Sequence, residues 1–168
     1  MNAGENDDVA PGPARQDQQL LDAYWLVGVP ADALPYSKHF DALLRKLDLT
    51  PKDVDDDQRR ELFARLLRLR KSGQAPPIPS FGPFQGLPEL SDSDVQALAS
   101  LVTKHAGSLG QRDRLAYTAQ FDELRREFEV ATSHRVTNEE LWRLVLRRAK
   151  QPHATEGEPE EPRPPDEQ

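Results

Sequence analysis

The sequence predicts an all-α protein: a duplicated unit of about three helices, packed as a small helical bundle or as two mini-bundles, with disordered acidic tails. Three observations lead there. Apolar residues recur at helical spacing through most of residues 20–150, and no stretch alternates apolar and polar residues with the β-branched content of a strand. One segment resembles another when the chain is shifted by 81 residues. Finally, runs rich in proline, glycine and acid stand at both ends and in the middle, where neither a helix nor a sheet ladder continues.

The repeat is specific. Asp32, Leu34, Tyr36, Phe40, Asp41, Leu43 and Arg45 recur as Asp113, Leu115, Tyr117, Phe121, Asp122, Leu124 and Arg126, seven identities over the sixteen positions 32–47. After a loop two residues shorter in the second copy, Glu61, Leu62, Leu67, Arg68 and Lys71 match Glu140, Leu141, Leu146, Arg147 and Lys150, with Phe63 opposite Trp142. Two copies of a unit of roughly 55 residues pack either as separate bundles or as one pseudo-symmetric domain.

From the N-terminus, residues 1–19 hold almost nothing apolar and bury too little surface to offset the entropy of ordering them, so they read as a disordered acidic tail. Repeat one occupies 20–72. Its first helix, 18–27, places Leu20, Leu21, Tyr24 and Trp25 on one side. Its second begins near Ser37 and buries Phe40, Leu43, Leu44 and Leu47. Its third runs to Ser72, with Thr50, Pro51 and Asp53 as a start signal; the sequence is compatible with a continuous helix or with a break near Asp55. Residues 73–90 contain five prolines and three glycines and form a linker, which Ile78, Phe81, Phe84 and Leu87 are placed to fasten to the folded surface.

Repeat two, 91–150, opens with a helix over 92–106 that presents Val95, Leu98, Leu101 and Val102, started by Ser91 and Asp94. Its second helix starts near Arg112 or Thr118 and buries Phe121, Leu124 and Phe128. Its third is introduced by Thr137 and Glu140, a capping box, and ends at Lys150. Residues 151–168 are rich in Glu and Pro and read as a second disordered tail.

Charge follows the same division. The net charge is −7, yet residues 1–19 carry −3 and residues 151–168 carry −5, which leaves the predicted folded part at +1. Whole-chain charge is therefore a poor guide to its partners. The absence of cysteine excludes disulfides, thiolate metal sites and a cysteine nucleophile. The longest apolar stretch near the N-terminus, Tyr24 to Pro30, is too short to span a bilayer, and a cytoplasmic protein with no membrane contact is the expectation.

Candidate chemistry is sparse. Acids at Asp53, Asp55 and Asp57 have calcium-loop spacing, but Gln58 and Ala64 stand where glycine and a bidentate carboxylate are needed. Carboxylates in a first helical turn, opposing its positive end, account for the run. His39, His105, His134 and His153 are too scattered for a sequence-local metal box and read as surface residues. No nucleophile elbow, P-loop, dinucleotide glycine motif or zinc-protease helix is present. Neither a cofactor nor a metal nor enzymatic activity is expected. The paired aromatics Tyr36, Phe40, Tyr117 and Phe121 read as core, and Asp41 and Asp122 as fixed hydrogen-bond acceptors or as i,i+4 partners of Arg45 and Arg126.

The most suggestive feature is the basic end of each third helix, with Arg65, Arg68 and Lys71 outward in the first copy and Arg143, Arg147 and Lys150 in the second. Two functions suit it. The first is a non-catalytic helical adaptor, a protein-interaction module built from the tandem duplication, with Phe81 and Phe84 as further contacts to a protein partner. The second is a DNA-binding protein using those basic helices on nucleic acid. The LTPKDV run at Leu49 resembles the start of many helix-turn-helix motifs, which implies DNA as a partner, although the connection in copy one is longer than that motif uses. Cations at a helix C-terminus also simply oppose its dipole.

Overall fold

The computed structural model describes residues 13–79 and 84–151. Among these residues there are six α-helices, three short 3-10 segments and no strand. They are α1 (Pro13–Val27), α2 (Lys38–Lys46), α3 (Asp56–Lys71), α4 (Asp92–Ala106), α5 (Ala119–Thr132) and α6 (Asn138–Lys150), with 3-10 segments at Ala31–Ala33, Pro51–Asp53 and Leu109–Leu115. None of the described helices is long and apolar enough to cross a membrane. The linker residue Phe81 and the tail residues 1–12 and 152–168 lie outside the described residues.

Local chemistry sets most helix starts. Ser37 and Thr118 cap α2 and α5 with their hydroxyls, which accept from the backbone N–H of His39 and Phe121, and each hydroxyl also donates back to a carbonyl three residues earlier, that of Leu34 or Leu115. Reciprocal capping boxes start α3 (Asp55 with Gln58), α4 (Ser91 with Asp94) and α6 (Thr137 with Glu140). One boundary that the sequence leaves open is decided, and another differs from the sequence reading. The Thr50–Pro51 signal starts only the 3-10 turn, because Val54 and Asp55 are extended and the α-helix begins at Asp56. Helix α1 begins at Pro13 rather than near residue 18, so residues 13–19 are helix and not tail. Proline suits a first helical turn, and Asp17, just beyond that turn, is tied to Arg65 of α3 at 2.5 Å.

One hydrophobic core runs through both halves, so the two copies form one packed body rather than two mini-bundles. The contact between them is built on two tyrosines. Tyr36 and Tyr117 occupy matching positions, and each has its backbone in the left-handed region, at φ 63° and 61°. That conformation costs a bulky L-residue about 1–2 kcal/mol. It carries each side chain across to the other copy. The Tyr36 amide donates to the Tyr117 hydroxyl at 2.8 Å, and the Tyr117 amide donates to the Tyr36 hydroxyl at 2.5 Å. A contact in which i meets j and j meets i is the mark of a local two-fold relation.

Ring packing follows the same exchange. Tyr36 stacks on Phe121 at 4.8 Å, and Tyr117 packs on Phe40 at 5.3 Å. Trp142 packs edge-on against Phe63 and Phe121 and donates its Nε1–H to the Asp32 carbonyl at 2.7 Å, another bond from one copy to the other. Burial pushes the Tyr117 hydroxyl up to about 12 and raises that of Tyr36 as well, so both stay protonated across the physiological range.

Asp41 and Asp122 do hold fixed hydrogen bonds, but not with Arg45 and Arg126. Arg59 at the start of α3 donates to Asp41 at 3.0 Å and to the carbonyls of Pro51 and Val54, and lies over the Phe40 ring at 5.7 Å. In the second copy the matching position is Asn138, whose amide reaches Asp122 at 3.5 Å. The i,i+4 arginines remain exposed, because the following helix offers a partner that also ties the connection down.

Removing either tyrosine hydroxyl leaves a half-buried amide without its acceptor, at a cost of about 1–3 kcal/mol. Tyr36→Phe and Tyr117→Phe are each expected to lower the unfolding free energy in urea by that amount, with one cooperative transition retained for both copies. Separate transitions for the two copies in native-state hydrogen exchange of the wild type would contradict a shared core.

Candidate functional site

The structure divides the six cations that the sequence places on a candidate binding face. Arg65 is half-buried against Asp17 of α1. Arg143 pairs with Glu139 at 2.6 Å and lies over the Phe84 ring at 5.2 Å. Arg147 donates to the Pro88 carbonyl at 3.4 Å. The outward row on α6 therefore anchors the linker, and Phe84, half-buried beneath Arg143, is spent on the same contact. Ile78 and Leu87 are likewise packed on the core. Lys150 is exposed at the helix end. The basic rows of α3 and α6 thus have different surroundings despite their matching sequence.

Arg68 and Lys71 remain exposed and line an open groove of about 660 Å³ between α3 and the Leu109–Leu115 segment of the other copy. Its floor is apolar, made by Ala64 and Leu67. Arg114 of the second copy joins its rim, and among the described residues no carboxylate stands within ion-pair distance of Arg68, Lys71 or Arg114. Arg60, also on the rim, is occupied by Asp57 at 3.0 Å. Against those three cations stand Glu61 and Asp113, and burial holds the Asp113 carboxyl above the usual aspartate range. The groove is thus mildly basic with an apolar floor. The spacing of Arg68 and Lys71 in the sequence pointed to it, but nothing in the sequence placed Arg114 beside them.

A second depression lies over the paired tyrosines, lined by Lys38, Lys52 and Arg59 and by Asp41, Asp56 and Glu139. Its charges balance, and Arg59 is already committed to three acceptors. Among the described residues no group of three His, Cys, Asp or Glu side chains is placed to hold a metal ion. Trp25 and Leu26, at the end of α1, are 59% and 66% exposed. Trp25 does not share the buried face with Leu20, Leu21 and Tyr24, because Tyr24 takes the core position and its hydroxyl accepts the Ala31 amide at 3.1 Å.

Two histidines tie α4 to α5 and to the α5–α6 connection instead of sitting idle on the surface. His105, nearly buried, meets Glu127 at 3.2 Å, and Lys104 meets the same carboxylate at 2.9 Å. His134 meets Asp94 at 3.0 Å and stacks on Phe128. Hydrogen bonds from Lys104 and then His105 hold the Glu127 carboxyl below the usual glutamate range.

No family model, curated protein or solved structure matches this chain.

Because the Glu127 carboxyl is lower in the folded than in the unfolded chain, its contribution to stability is present above the ordinary glutamate value and is lost as pH falls through the folded value. The thermal midpoint is expected to drop as acid is added below that ordinary range, and Glu127→Gln is expected to flatten this part of the profile when followed by circular dichroism. An unchanged profile in the variant would assign the acid sensitivity to other groups.

Proposed function

We propose that this protein is a non-catalytic helical adaptor, built from a tandem duplication, that binds an acidic, partly apolar segment of another protein. The observation carrying this reading is the groove between α3 and the 3-10 segment before α5. An apolar floor of Ala64 and Leu67 beneath Arg68, Lys71 and Arg114 suits a bulky apolar side chain flanked by carboxylates. Interfaces gain most from buried apolar anchors, while rim charges set orientation and encounter rate. The exposed Trp25 and Leu26 supply a further apolar feature of the kind that marks a protein contact.

The helix-turn-helix alternative is less well supported. A recognition helix meets base edges with its N-terminal residues. The first turns of α3 and α6 carry Asp56 and Asp57, and Glu139 and Glu140, which repel phosphate. Nine residues separate α2 from α3 and include a 3-10 turn.

Random peptides displayed against the full chain are expected to enrich sequences that combine carboxylates with a large apolar residue. Affinity for such a peptide should fall about tenfold or more in Arg68→Ala/Arg114→Ala, equivalent to about 1.4 kcal/mol. Equal binding by the double variant would sink this use of the groove. Tight binding of a random-sequence duplex that weakens steeply with salt, and is lost in Arg68→Ala/Arg147→Ala, would favour nucleic acid instead.

A further inference from the structure

A different groove, of about 320 Å³, opens where α6 ends. Its floor is apolar, formed by Leu90 after the linker, Val95 and Leu98 of α4 and Leu144 of α6. Arg147 and Arg148 stand along it, opposed by the single acid Glu89. The Arg148 Nε is enclosed and has no hydrogen-bond partner among the described residues, a state that costs free energy for a charged donor. Gln151, the last described residue, lines the same groove. Its backbone is extended, at φ −69° and ψ 133°, as expected for a residue preceding proline. The chain therefore leaves the helix at the mouth of a cationic, apolar-floored groove.

The segment beyond Gln151 has complementary chemistry. Residues 152–168 carry six acids and only Arg163 in return, with prolines at 152, 159, 162, 164 and 165 interleaved among the glutamates. Proline-rich chain favours an extended left-handed helix of about 3.1 Å per residue with little entropy left to lose, and its rings pack on apolar grooves. Glu156 lies five positions past Gln151, so carboxylates begin within about 15 Å of the groove mouth. Tethering raises the effective concentration of such a segment to about the millimolar range, so even a weak contact is well populated.

We propose that the acidic, proline-rich segment 152–168 docks in cis into the α4–α6 groove, its prolines on Leu90, Val95, Leu98 and Leu144 and its glutamates on Arg148 and on the Arg147 donors that the Pro88 carbonyl leaves open. This site is separate from the α3 groove assigned to a partner, and stands or falls independently of that assignment. Docking covers the apolar floor and places carboxylates against the guanidinium groups that line the groove, in charge-assisted bonds of the stronger kind.

The test uses the full chain and leaves the helices untouched. Amide nitrogen–proton spectra of the wild type are compared with those of Glu156→Gln/Glu158→Gln/Glu160→Gln/Glu161→Gln. The expected result is a change at the amides of Leu90, Val95 and Leu98 and at those of Arg147 and Arg148. Salt at about 0.5 M, where screening is short-ranged, should move the wild-type signals toward those of the variant. The wild-type positions should not change on tenfold dilution. Changes confined to residues 152–168 would overturn the proposal, as would changes centred on Arg68, Lys71 and Arg114. Reversal on dilution would also overturn it, since the segment would then be docking on a second copy.

Discussion

The structure depends on the exchange between Tyr36 and Tyr117, in which each backbone amide is accepted by the other copy's phenolic hydroxyl. Both residues hold a left-handed backbone at the third position of a tight turn, closed by the Ser37 amide on the Leu34 carbonyl and by the Thr118 amide on the Leu115 carbonyl, and the exchange helps offset its cost. The exchange fixes the register of one copy on the other more tightly than ring packing alone would do. Aromatic rings slide and tilt at little cost, whereas a hydrogen bond at 2.5–2.8 Å does not. Trp142 adds a third fixed point through the Asp32 carbonyl, and Asp32 is itself held by Arg70 at 2.8 Å.

Around that common frame the two copies differ in how their helices are tied together. Arg59 in the first copy clamps α2, the 3-10 turn and α3 together, whereas Asn138 at the matching place makes one long contact in the second. The shorter connection before α6 needs less tying down. The linker that joins the copies lies along the second copy, where it occupies Arg143 and Arg147. On α3, Arg68 and Lys71 have no such cover among the described residues and are exposed. Among the described residues the linker thus covers the basic row of α6 and leaves that of α3 bare, an asymmetry that supports the proposal of partner docking at the α3 groove.

Much of this fold is legible in the sequence because helix-forming signals are local. The capping boxes at Ser91 and Thr137, the apolar periodicity of Phe63, Leu66 and Leu67, and the repeat itself all act over a few residues. The candidate site is less legible. Six cations share one spacing pattern, yet Arg65 meets a carboxylate 48 residues away and Arg147 meets a carbonyl 59 residues away. Spacing on a helix says which side chains point outward, and says nothing about what covers them.

The sequence by itself determined that the chain is helical, where most helices begin, which residues are apolar enough to form a core, and that one segment echoes another. These derive from backbone hydrogen-bond accounting and from the period of the helix, both local properties. Only the tertiary structure decided that the two copies share one core, that Trp25 faces water while Tyr24 is buried, and that Arg114 stands beside Arg68 and Lys71. Those outcomes depend on contacts between residues far apart in the chain, and such contacts are set by the packing of whole helices rather than by any spacing within one.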